Sequence, residues 1–212
     1  MITLYAKATS NGRKASIMLE ETRLPYEVRP MALERKEQKE DWYLELNPNG
    51  RIPVITDDEG PNGTPVTVFE SGAILIYLAE KSGKLLPNVP RDRTQVMKWL
   101  FFISTHLTFG AMQVHWLMRR RNAGESHHNL DMWQIENTRV YDVLDKGLAD
   151  YPYFGGADYS IADIAAYPWV YRWEMQGIDM DAFPRLKSWF ALVGTREEVI
   201  RGLGVPPRDD GL

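Results

Sequence analysis

The sequence predicts a two-part protein: an α/β domain over residues 1–83, then an all-α helical bundle over 91–201. Three observations predict it. Strand-like and helix-like runs alternate as far as Lys81, no convincing strand run occurs between 91 and 196, and the joining stretch 84–90 carries two prolines and an asparagine.

The elements follow in order. Ile2-Thr3-Leu4-Tyr5 is a short β-rich run, and residues 11–23 place Ala15, Met18 and Leu19 at helical spacing. Residues 26–29 alternate like a strand between Pro25 and Pro30, and 34–46, though charged, sets Trp42, Tyr43 and Leu46 at helical spacing. Strands are expected at 53–56 and 66–69, joined as a hairpin through the turn-rich stretch 57–63. A helix over 71–81 ends at Ser82-Gly83. The order βαβ-α-ββα implies a mixed sheet, because the first two strands need a crossover and the last two a hairpin. In the second half, 92–121 and 127–151 are long amphipathic segments. Ser160-Ile161-Ala162-Asp163 has the hydroxyl-then-acid spacing of a capping box, and 184–195 reads as a helix with proline in its first turn. The end, 202–212, is rich in Gly, Pro and Asp and reads as a loose tail.

Composition narrows the function. With 44% hydrophobic and 25% charged residues the chain is of ordinary globular type, and its net charge of −4 argues against nucleic acid or an anionic membrane as main partner. Lys7, Arg13 and Lys14 interrupt any secretion signal, and no apolar run reaches the roughly 20 residues of a membrane span, so a cytoplasmic protein is expected. There is no cysteine. Disulfides, a cysteine nucleophile and Cys-ligated zinc are therefore out, and any thiol chemistry must use a thiol that the ligand brings. His106, His115, His127 and His128 lack a metal-ligand spacing, so no metal is expected.

Three short segments carry the chemistry. Asn47-Pro48-Asn49-Gly50-Arg51-Ile52-Pro53 bends sharply into a strand start. A cis bond before Pro53 would turn the N–H and C=O of Ile52 outward to pair with an extended peptide; otherwise Pro53 is an ordinary strand-start proline. Glu70-Ser71 opens a helix. Ser71 alone reads as an N-cap, yet a helix N-terminus with a hydroxyl also grips a carboxylate, and Glu70 beside it would pair an ammonium. Together these suit a small peptide with a free amino-acid end. Thr9-Ser10-Asn11-Gly12 lies where the first strand hands over to the first helix. Its hydroxyls and amide are helix starters, and equally are donors that favour a thiolate over a thiol. Lowering a free thiol pKa of about 8.5 by two units takes roughly 2.7 kcal/mol.

Over nearly its whole length the chain resembles the cytosolic glutathione transferases. Arg51-Ile52-Pro53-Val54-Ile55, Glu70-Ser71-Gly72-Ala73-Ile74 and Ser160-Ile161-Ala162-Asp163-Ile164 carry the resemblance, and the Thr9–Gly12 turn is most similar to the bacterial Nu class, relatives of the yeast nitrogen-catabolite regulator. The resemblance implies a thioredoxin-like N-terminal domain that binds glutathione as co-substrate. It implies that Ile52, next to cis-Pro53, pairs with the cysteinyl unit, that Glu70 and Ser71 hold the γ-glutamyl end, and that Gln38 reaches the glycyl carboxylate with Arg51 or Lys14 nearby. Thr9, Asn11 and the competing Ser10 would stand at the sulfur. It implies a homodimer and a disulfide-bond reductase, with conjugation to small electrophiles or a non-catalytic, glutathione-binding regulator as alternatives. Among the aromatic and Met residues of the second half, Met112, Trp116 and Trp169 are the candidates for an acceptor pocket. The family's basic contact from the second domain falls on Met132 here, which leaves Arg119 to Arg121 or Arg139 as sources.

Overall fold

A computed structural model describes residues 1–125 and 127–207. The chain divides into two units. One comprises Met1–Leu86 with the segment from Thr195 onward, and the other Pro87–Gly194.

The first unit runs β1 (Ile2–Ala6), α1 (Ser10–Thr22), β2 (Tyr26–Pro30), α2 (Asp41–Leu46), β3 (Val54–Asp57), β4 (Val66–Phe69) and α3 (Ser71–Ser82). The sheet order is β2-β1-β3-β4, with β1 parallel to β2 and the other pairs antiparallel, as the βαβ-α-ββα order requires. Register sorts the side chains between two faces. Tyr5 stands opposite Val54. Both pack with Met31, Trp42, Tyr43, Leu46 and Ile52 on the α2 side. Leu4 stands opposite Ile55 and both are fully buried on the other face, where α1 and α3 cover β1 and β3. Asp57, at the end of β3, is 1% exposed and ties the sheet to α3 by accepting from the Tyr77 hydroxyl at 2.5 Å and the Lys81 ammonium at 2.7 Å.

The expected helix over 34–46 is instead two 3₁₀ turns, Leu33–Arg35 and Glu37–Lys39, followed by α2 alone. Lys36 between them has φ 60°, which breaks any continuous helix.

The second unit holds α4 (Pro90–Phe102), α5 (Thr108–Asn122), α6 (Leu130–Gly147), α7 (Ile161–Val170) and α8 (Pro184–Gly194). The long segment expected over 92–121 is interrupted by a π-helical turn at Ile103–Leu107. Every residue of α7 is buried, so the other helices pack around it. Its start is the expected capping box. The Ser160 hydroxyl accepts from the Ala162 N–H at 3.3 Å, while the Asp163 carboxylate accepts from the Ser160 N–H at 3.0 Å. Asp163 also accepts from the Phe154 N–H at 3.1 Å and the Trp189 indole at 2.9 Å.

The tail differs from the expectation. The chain returns to the first unit as α9 (Glu197–Leu203), packed on α1. Ser16 donates to the Gly202 carbonyl at 2.7 Å, and Arg196 makes a two-point pair with Glu21 at 2.7 and 2.8 Å. A Cβ on Gly202 would meet the Ile17 Cα at 2.5 Å, so the glycine that suggested looseness permits close packing instead. The helical unit therefore ends at Gly194 and not at 201, and the first half of the expected tail is ordered structure. Residues 208–212 of that tail lie outside the described residues.

Candidate functional site

The first unit brings the sequence-singled segments into definite roles. Asn47 is 1% exposed and closes the turn before β3. Its amide donates to the Arg51 carbonyl at 2.7 Å and its carbonyl oxygen accepts from the Asn49 N–H at 3.0 Å. Tyr43 donates to the same Arg51 carbonyl at 2.9 Å. Gly50 sits at φ +59°, where a Cβ would meet the Gln38 carbonyl at 2.8 Å. This packs the Glu37–Lys39 turn against the loop, with the Gln38 backbone beside Gly50. The Gln38 side-chain oxygen is buried with no hydrogen-bond partner among the described residues. The Ile52–Pro53 bond is cis, and the N–H and C=O of Ile52 take part in no hydrogen bond among the described residues. The cis bond is the one the sequence reading asked for at Pro53.

At the start of α3 the arrangement differs from a serine cap. Glu70 occupies the N-cap position with φ 68° and ψ 119°, no side chain caps the helix, and Ser71 is its first residue. The first-turn N–H groups and the Ser71 hydroxyl are therefore available to an anion, with the exposed Glu70 carboxylate beside them. Lys14, on α1, is 1% exposed and within the field of Glu70. Burial lowers its pKa from the ordinary 10.5 to about 7, opposed by the Glu70 charge. Lys14 is thus a buried neighbour of Glu70, not an exposed contact for a glycyl carboxylate.

The sign of this shift gives a prediction. Below pH 7 the native and unfolded chains both carry the Lys14 proton, so this group adds no slope; between about 7 and 10.5 only the unfolded chain keeps it, and stability rises with pH. Urea unfolding of wild type and Lys14→Met is expected to give a stability difference that shifts in favour of wild type from pH 7 to 9. A difference constant from pH 6.5 to 9 would show that Lys14 ionises normally.

The turn after β1 separates the three sulfur candidates. Thr9 caps α1, its hydroxyl oxygen accepting from the Gly12 N–H at 3.1 Å, which leaves its own proton to donate elsewhere. A Cβ on Gly12 would lie 2.2 Å from the Lys7 carbonyl, so the turn is built around that glycine. Thr9 and Asn11 are half-buried, whereas Ser10 is 2% exposed and its hydroxyl has no partner among the described residues.

On the second unit, Met112 is half-buried and Trp116 is 51% exposed, with the Arg120 guanidinium 4.8 Å above its ring. Trp169 is only 8% exposed, and its carbonyl accepts from Gln176 at 2.7 Å, so it belongs to the interior. Of the basic candidates, Arg139 is held by Glu136 at 2.6 and 2.7 Å and Arg120 pairs with Glu125 at 3.3 Å. Arg119 and Arg121 make no ion pair among the described residues. Met132 is 54% exposed at the start of α6. Sequence reasoning missed the closeness of Lys14 to Glu70 and the strained backbone at Glu70, neither of which has a local signal. Among the described residues no group of three His, Cys, Asp or Glu side chains could hold a metal ion, and no helix is long and apolar enough to cross a membrane.

Comparison with known proteins shows what the whole chain is similar to. The family model for the glutathione S-transferase N-terminal domain matches residues 10–81, and that for the glutathione S-transferase C-terminal domain matches 132–192. The disulfide-bond oxidoreductase YfcG of Escherichia coli (strain K12) is 38% identical over 208 residues, covering 92% of this chain and 91% of the relative. A glutathione transferase family member from Pseudomonas fluorescens pf-5, solved with two glutathione bound, superposes with a TM-score of 0.89 at 39% identity, over 95% of this chain and 92% of that one. A glutathione transferase from Pseudomonas putida, solved with one glutathione disulfide per subunit, does so with a TM-score of 0.89 at 36% identity, over 97% and 91%.

Proposed function

The chain belongs to the glutathione S-transferase family, and we propose that it is a glutathione-dependent disulfide-bond reductase. The observation that carries the reading is the open backbone of Ile52 in the same unit as the uncapped start of α3 at Glu70-Ser71, in a chain with no cysteine of its own. Ile52 pairs by its backbone with the cysteinyl unit of glutathione. Ser71 and the α3 N–H groups take the γ-glutamyl carboxylate, and Glu70 takes its ammonium. Gln38 and Arg51 face the glycyl end. Thr9 and Asn11 donate to the sulfur and hold it as thiolate; the buried Ser10 does not reach it.

Because the protein has no thiol, glutathione supplies both electrons. One glutathione thiolate attacks a sulfur of the acceptor disulfide, forming a mixed disulfide and expelling the first acceptor thiolate. A second attacks the glutathionyl sulfur, forming glutathione disulfide and expelling the other. Two glutathione thiols are oxidised, the acceptor gains two electrons, and its thiolates take up the two protons. The pairs of ligands in the relatives, two glutathione or one glutathione disulfide, are the reductant and product of such a sequence. As the family implies, we infer a cytoplasmic homodimer, for which sedimentation at micromolar concentration is the test.

Side-by-side assays of 2-hydroxyethyl disulfide reduction and chlorodinitrobenzene conjugation test the reading. Disulfide reduction is expected to dominate, and conjugation alone would refute it. Thr9→Ala and Asn11→Ala are each expected to move the pH–rate profile upward by about one unit, the worth of one charge-assisted hydrogen bond. Glutathione binding without either turnover would place the protein among non-catalytic binders.

A further inference from the structure

The Glu70 carboxylate has a solvent side and a protein side, and the second deepens the reading above, on which this inference rests. Glu70 is exposed at the start of α3. On its protein side stands Lys14 of α1, the helix that packs on α3. Lys14 is 1% exposed and among the largest fully buried side chains of the chain. An ammonium withdrawn this far from water keeps its charge only where an opposite charge meets it.

The neighbouring charges are engaged elsewhere. The elements packed on α1 are α3, α9 and β1. β1 carries no charged residue. On α3, Lys81 pairs with Asp57 at 2.7 Å, and Glu80 stands at the far end of the helix from Glu70. On α9, Arg201 gathers Glu20, Glu197 and Glu198 at 2.8, 3.6 and 3.3 Å. On α1 itself, Glu21 pairs with Arg196, and Arg13 has the same sign as Lys14. The charge that acts on Lys14 is that of Glu70.

Glutathione, bound as read above, brings a second cation to the same carboxylate, the ammonium of its γ-glutamyl end. Two like charges on one counter-ion disfavour each other, and the buried one gives way first because burial already opposes its charge. We propose that Lys14 competes with the γ-glutamyl ammonium for Glu70, so that glutathione binds by displacing the Lys14 proton into solvent. Lys14 is thereby a positioning residue, tuning through Glu70 how strongly the amino-acid end is held. Below pH 7 a charged Lys14 draws on Glu70, and above it the whole carboxylate charge serves the ligand. By linkage, neutralising Lys14 tightens the ligand by the factor by which the ligand disfavours the Lys14 charge.

S-Methylglutathione is the probe, because it keeps the γ-glutamyl end and has no thiol to titrate. With Lys14 titrating at about 7 and its charge disfavoured about tenfold by the ligand, Kd is expected to fall about fivefold from pH 6 to pH 8. Calorimetry at pH 6.5 in buffers of different ionisation heat is expected to show about half a proton released per ligand bound. Both readings are made on the wild-type protein and need no variant to fold. In Lys14→Met both signals are expected to vanish, with binding about fivefold tighter than wild type at pH 6 and equal at pH 8. A wild-type Kd that is flat with no proton released, or a slope that survives in Lys14→Met, would overturn the proposal and leave glutathione binding intact. Weaker binding by Lys14→Met at both pH values would also overturn it, since Lys14 would then only support Glu70. No binding of S-methylglutathione at any pH would sink the glutathione reading, and this inference with it.

Discussion

Replacing Glu70 by Gln is expected to raise the KM for glutathione roughly 30-fold with little change in kcat. Gln keeps the shape of Glu and removes the charge that meets the γ-glutamyl ammonium. Truncating one partner of such a pair costs at least about 2 kcal/mol, which is near 30-fold. The effect falls on KM because that ammonium lies away from the reacting sulfur and is held alike in ground and transition states. A second variant separates ligand binding from folding. Glu70 sits at φ 68° and ψ 119°, a region that costs a non-glycine residue on the order of 1–3 kcal/mol. Glu70→Gly relieves that strain but gives the unfolded chain more freedom, worth roughly 0.5–1 kcal/mol against it. The glycine variant is therefore expected to be as stable as wild type, or up to about 2.5 kcal/mol more stable, and still to bind glutathione poorly. Urea unfolding and calorimetry on the same samples check both halves. A Glu70→Gly protein that is much less stable than wild type, or Glu70→Gln with an unchanged KM, would show that the residue is there for the backbone and not for the ligand.

The strain at Glu70 also shows why the site was only partly legible in the sequence. Ile52, Pro53, Glu70 and Ser71 stand out because each acts through backbone next to it in the chain, and turn residues and proline announce such places. Ser71 reads as a cap by propensity. The end of β4 instead delivers Glu70 to the cap position at positive φ, so tertiary structure overrides the local preference. The same competition explains the misread tail. Gly202 is a breaker by composition, but a position where α9 must approach Ile17 admits nothing larger. Residues 34–46 keep an apolar spacing because Trp42, Tyr43 and Leu46 do pack beneath β3, yet Lys36 at positive φ divides what spacing alone joins. Arg119 to Arg121 were visible as a basic run, but the sequence could not say which of them is paired. That depends on Glu125 across a turn, and the field of Arg172 on His115 comes from a residue nearly sixty positions away. Strand order and helix amphipathicity are local and repeat, so they survive translation into sequence pattern. Caps and charge fields made by distant residues do not; Asp145 of α6, for example, caps α8 by accepting from the N–H groups of Arg185 and Leu186 at 2.8 and 3.0 Å.

Asp163→Ala is expected to be the most destabilising single change in the second unit, on the order of 4 kcal/mol. The carboxylate is fully buried and receives four hydrogen bonds from three residues: the Ser160 N–H and hydroxyl, the Phe154 N–H and the Trp189 indole. Losing the capping box costs about 1 kcal/mol. Leaving the Phe154 N–H and the Trp189 indole buried without an acceptor adds about 1–3 kcal/mol each. Asp163→Asn keeps the size and removes the charge, but it turns one of two acceptor oxygens into a donor facing other donors, so it is expected to recover less than half of the loss. Asp163→Ser retains an acceptor but is too short to reach Phe154 and Trp189 together, and is expected to fall near the alanine variant. Urea unfolding followed by Trp fluorescence reads all three, since Trp189 reports directly on its lost partner. An Asn variant as stable as wild type would mean that the four donors need only a polar neighbour. An Ala variant within 1 kcal/mol of wild type would mean that the neighbourhood closes over the gap. The first result would make the charge dispensable, and the second would place the anchoring of α7 in its apolar packing. The expected outcome places it in one carboxylate that ties the start of α7 both to the loop before it, through Phe154, and to α8, through Trp189.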